Sequence, residues 1–78
     1  MMKIIVQITD EAIASLGKLA MRCANSHALR DGFTSHGPLT VTTLMAMLAE
    51  DATMVVTRPG SWEGSNMAQV QSSHGYEV

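Results

Sequence analysis

The feature that most constrains this chain is a change of period near its start. In KIIVQIT, residues 3–9, alternation puts Ile4, Val6 and Ile8 on one face and Lys3, Ile5, Gln7 and Thr9 on the other. That period of two, carried by β-branched residues, predicts a strand. At Thr9-Asp10 the period lengthens. Ile13, Leu16, Ala20, Cys23 and His27 then recur at three- and four-residue spacing, which predicts a helix ending near Ala28 or Leu29. Thr9 or Asp10 is suited to cap it, and the carboxylates of Asp10 and Glu11 match its positive N-terminal end. Gly17 lies inside this helix and costs it about 1 kcal/mol relative to alanine unless something packs closely there. A lone strand exposes unpaired backbone groups, so the opening of this chain demands a partner.

The length sharpens that demand. A chain of 78 residues allows one domain, and a domain of that size buries a small share of its surface. Small domains add disulfides, metal or association, and the single Cys23 excludes an internal disulfide. A lone cysteine fits a reducing cytoplasm better than a secreted, stapled framework. Thr9, Asp10 and Glu11 interrupt the N-terminal apolar run before it can form a signal peptide. No run approaches the roughly 20 residues of a membrane helix, so a cytoplasmic protein without membrane contact is expected.

Further along, RDGFTSHGPL predicts a loop from about Arg30 to Leu39. Thr40, Thr42 or Thr43 then caps a second helix over about 41–54, with Val41, Leu44, Met45, Leu48, Ala52 and Val55 along one side. MVVTRPG reads either as the frayed end of that helix or as a short second strand, and Pro59-Gly60 stops both. Residues 1–56 thus form a strand-helix-loop-helix core and residues 57–78 a C-terminal tail. In the tail, Ser65 or Asn66 caps a short helix ending near Gly75.

The register of Val6, Ile8, Thr9, Asp10, Glu11, Ile13, Leu16, Leu19 and Ala20 resembles the ribbon-helix-helix family of DNA-binding repressors. The resemblance covers residues 3–23 and extends generically to 40–54. It implies an α+β fold in which two chains intertwine as a homodimer, pair their strands into an antiparallel ribbon and read a palindromic operator. The family's ribbon enters the major groove, and the matching outward residues are Lys3, Ile5 and Gln7. Lys3 is suited to guanine O6 or N7, Gln7 to adenine N6 and N7, and Ile5 only to a thymine methyl. The family's phosphate contact at the start of its second helix falls on Thr40, Val41, Thr42 and Thr43. The chain departs from the family in its loop, about ten residues too long, in a less basic strand, and in a tail with no counterpart.

Charge is divided along the chain. Residues 1–39 carry Lys3, Lys18, Arg22 and Arg30 against Asp10, Glu11 and Asp31, whereas residues 40–78 carry Arg58 against Glu50, Asp51, Glu63 and Glu77. An anionic partner is expected to prefer the first half.

Other constellations support less. Cys23, His27 and His36 make an incomplete zinc set, since structural sites show paired ligands at both ends, and no metal or other cofactor is expected. Ser35, His36 and Asp31 lie together in sequence without a nucleophile elbow, and no phosphate-binding glycine motif is present, so no catalytic residue is assigned. Among the seven methionines, Met45, Met47 and Met54 lie on or beside the second helix, as core filler or as an adaptable binding surface. Arg58, Trp62 and Tyr76 belong to the residue types enriched in interface hot spots, but amphipathic aromatics also cover small cores, and that structural role is the one favoured here. The long loop, the acidic second half and the tail with Trp62 motivate the alternative function: a small non-enzymatic inhibitor or adaptor that binds a protein target, similar in size and composition to phage anti-defence (anti-CRISPR-like) proteins.

Overall fold

The computed structural model describes residues 1–30, 32 and 34–78. Its regular elements are three helices, α1 (Asp10–Leu29), α2 (Val41–Thr57) and α3 (Trp62–Ser73). The contacts divide the chain into two compact units, Met1–Leu44 and Met45–Val78, with the border inside α2.

The expected α+β ribbon-helix-helix fold is not what the chain forms. Residues 1–9 have no regular structure, and no strand occurs among the described residues. The physical reason lies in the hydrogen bonds. Residues 1–8 make none with any described residue, and a β-ladder exists only between two segments. The β-branched run records a fit to a pleated, half-buried surface, and that preference has no surface to act on here. Ile4, Ile5 and Val6 are accordingly exposed, with only Ile8 half-buried.

In the first unit, α1 begins as its sequence predicts. Thr9 is the cap, its Oγ1 accepting from the Ala12 N–H at 3.2 Å, with Asp10 and Glu11 in the first turn. Ala20 is buried, while Leu16, Cys23 and His27 on the same stripe are half-buried. The stretch after α1 is pinned back to it. The Gly32 N–H donates to the His27 carbonyl at 3.0 Å, and the His27 Nδ1 and Thr34 Oγ1 share a hydrogen bond of 2.5 Å. Gly32, at φ +82°, turns the backbone beside the His27 ring, a conformation that favours glycine.

In the second unit, α2 runs through Thr57, so MVVT is helix and neither frayed end nor strand. The Arg58 N–H still donates to the Met54 carbonyl at 3.0 Å, and Pro59 then removes the next donor. Arg58-Pro59-Gly60-Ser61 closes a β-turn through Ser61 N–H to the Arg58 carbonyl at 3.0 Å, with proline at the position that its fixed φ suits. The tail helix starts earlier than its sequence suggested. Its cap is Ser61, whose Oγ accepts from the Gly64 N–H at 3.0 Å, and Ser65 and Asn66 lie inside the helix. It ends as expected near Gly75, which at φ +88° allows Gly75 N–H to reach the Ser72 carbonyl and Tyr76 N–H the Gln71 carbonyl, a Schellman pair.

Candidate protein-interaction surface

The positions assigned to DNA occupy two places. Lys3, Ile5 and Gln7 lie in the segment without regular structure, all exposed, Ile5 at 97%. No described strand pairs with it to hold these three side chains in a fixed register. The threonines at the start of α2 are brought together by the helix end itself. The Thr40 N–H donates to Thr43 Oγ1 at 2.8 Å, and the Thr43 N–H donates to Thr40 Oγ1 at 3.2 Å. This is a reciprocal capping box with threonine in the place usually taken by glutamate. Leu44 N–H donates to the Thr40 carbonyl at 2.8 Å. Thr40 and Thr43 therefore spend their polar groups on one another, and the half-buried Val41 has no side-chain polar group to offer. Thr42 is exposed on the first turn.

The positions assigned to a protein target are also divided. Arg58 and Trp62 flank the turn between α2 and α3, whereas Tyr76 follows the far end of α3. Twelve helical residues separate the two ends, roughly 18 Å at 1.5 Å per residue, so Tyr76 is not part of the patch around Trp62. The corner itself is tightly built. Ser61 Oγ donates to the Arg58 carbonyl at 2.7 Å while accepting from Gly64, so one hydroxyl ties the end of α2 to the first turn of α3. Gly64 is buried, and a Cβ at that position would stand 2.5 Å from the Arg58 carbonyl oxygen and 2.6 Å from that of Met54. Only a glycine permits this approach.

On this corner the large side chains face outward. Val56 is 84% exposed and Trp62 80% exposed. Arg58 and Glu63 are exposed beside them, and neither side chain has an ion-pair or hydrogen-bond partner among the described residues. Reading the sequence singled out Arg58 and Trp62 but missed Val56, Ser61, Glu63 and Gly64. Ser61 carried a usable signal, being the first capping residue after the Pro59-Gly60 stop. Gly64 carried none, since its role depends on atoms six and ten residues away.

Ser35 Oγ and His36 Nδ1 share a 2.6 Å hydrogen bond between chain neighbours. Asp31, the third residue of that sequence cluster, lies outside the described residues. Cys23 is half-buried as a free thiol. Among the described residues no three His, Cys, Asp or Glu side chains gather where a metal ion could sit, and no helix is long and apolar enough to cross a membrane.

No protein-family model matches the chain, and no curated protein or solved structure shows significant similarity to it.

Proposed function

We propose that the chain is a non-enzymatic protein-binding module, an adaptor or inhibitor that acts by covering part of another protein surface. The observation that carries this reading is the distribution of its apolar side chains. Among the described residues only Ala20 and Leu44 are buried hydrophobics, whereas Ile4, Ile5, Val6, Val56 and Trp62 stand well exposed. Exposed apolar groups scattered singly need no explanation, but runs of them mark places where another molecule is accommodated. The densest run is Met1, Met2, Ile4, Ile5 and Val6, and Val56 and Trp62 are exposed on either side of the α2–α3 turn. Removing such side chains from water contributes about 1.5–3 kcal/mol each when fully buried, enough for a few of them to drive association.

The test uses the full chain as bait beside two variants, Ile4→Asp with Ile5→Asp, and Trp62→Ala. Proteins captured by wild type and lost with a variant support the reading and say which surface binds. In parallel, the wild type is offered fragmented genomic DNA at two salt concentrations. Enrichment of a repeated site with salt-sensitive affinity, without variant-sensitive protein capture, would replace this reading with the DNA-binding one that Lys3 and Gln7 suggested.

A further inference from the structure

We infer that residues 3–8 bind by adding themselves as a strand to the open edge of a sheet in another protein. The inference rests on the protein-binding reading and names the kind of partner that the N-terminal run takes. From Met2 to Ile8 there is neither proline nor glycine, so every residue brings a backbone N–H and a carbonyl, and none of these groups meets a described residue. A sheet edge presents the same row of free donors and acceptors, and a ladder between the two satisfies both. Thr9, where the segment joins α1, is already extended at φ −63° and ψ 155°. The side chains say which face is packed. Ile4, Val6 and Ile8 share one parity and are all apolar and β-branched, whereas Lys3, Gln7 and Thr9 set polar groups around Ile5 on the other. That is the alternation of a strand with one packed and one solvated face, as antiparallel sheets have. Ile4 is 85% exposed and Ile5 97% exposed, so neither face is already taken at this end of the segment.

A second copy of this chain is the poorer partner. Two such segments side by side make a two-stranded ribbon, which is marginal in water unless something packs beneath it, and the exposure of Ile4 and Val6 leaves that layer missing. A parallel, in-register stack of copies sets Lys3 beside Lys3, and like charges directly opposite repel. A preformed sheet removes both objections. It supplies further strands and an apolar layer for Ile4 and Val6, while Lys3 and Gln7 stay in water.

The probe for the experiment is a β-sandwich domain whose edge strands have been stripped of the lysines and prolines that normally block pairing, used beside its unstripped parent. It is titrated with the full chain, assembled by joining a synthetic peptide of residues 1–22 to the remainder at Cys23, so that single backbone amides can be N-methylated. The chain is expected to bind the stripped domain and not the parent. In a strand the N–H groups of Ile4, Val6 and Ile8 point to one side and those of Lys3, Ile5 and Gln7 to the other. Methylation should therefore weaken binding about tenfold within one of these sets and little within the other. Ile4→Asp and Val6→Asp should each weaken it about tenfold or more, and Gln7→Ala hardly at all. Alternation identifies a backbone ladder, because a contact made by side chains alone does not read every second amide. No binding to the stripped domain, equal binding to the parent, or equal effects of methylation at every position overturns the inference, as does pairing of the segment with its own copies in place of the domain. If Ile4→Asp with Ile5→Asp loses a captured protein while the stripped domain stays unbound, the run docks through its side chains, so this inference fails and the protein-binding reading survives. If neither a captured protein nor a bound domain is found, both fail.

Discussion

Gly64 lies so close to the carbonyl oxygen of Arg58 that a Cβ there would stand 2.5 Å from it and 2.6 Å from the carbonyl oxygen of Met54. Both obstacles are backbone, so neither can rotate away. Gly64→Ala is therefore expected to force α3 off the end of α2 and to destabilise the fold by about 1–3 kcal/mol, the usual range for overpacking. A urea midpoint equal to that of wild type would show that the close approach is not maintained in solution.

Ser61 and Ser65 make opposite predictions. Ser61→Ala removes the hydroxyl that receives the Gly64 N–H and is expected to cost about 1 kcal/mol, a normal loss for an N-cap. Ser65 is exposed inside α3, so Ser65→Ala should be neutral or slightly stabilising. Chemical denaturation of the two variants side by side checks the assignment, and it fails if Ser65 is the costlier position.

Gly17 offers a gain. Among the described residues nothing comes within 4 Å of where its Cβ would be, and the residue is mid-helix in α1. Gly17→Ala should stabilise the chain by roughly 0.5–1 kcal/mol, because alanine loses less backbone entropy there. A lower thermal midpoint would mean that something does pack against this position.

His27 and Thr34 tie the segment after α1 to its last turn. Thr34→Val keeps the shape and removes the hydroxyl, and is expected to cost about 1 kcal/mol. Amide exchange at Gly32, whose N–H donates to the His27 carbonyl, should quicken in the variant. Unchanged exchange would separate the backbone turn from the side-chain bond.

The N-terminal run should behave as a surface and not as core. Ile5 is almost fully exposed, so Ile5→Asp is expected to alter stability by less than about 0.5 kcal/mol. A large loss measured by denaturant titration would place Ile5 in a packed core.

What could be read from the residues in order was whatever acts over three to six positions. Thr9 before Asp10-Glu11 begins α1, Pro59-Gly60 ends α2, and Gly75 closes α3, because caps, breakers and left-handed glycines work through hydrogen bonds and sterics within a single turn. KIIVQIT looked equally clear, yet a strand is a relationship between two segments, and the described chain provides no second one. Similarly, Arg58, Trp62 and Tyr76 looked like one set until the length of α3 placed Tyr76 at its far end. Whether Gly64 is spacer or keystone was decided only by the tertiary structure, since that depends on which carbonyl oxygens arrive beside it when α3 folds back onto the end of α2.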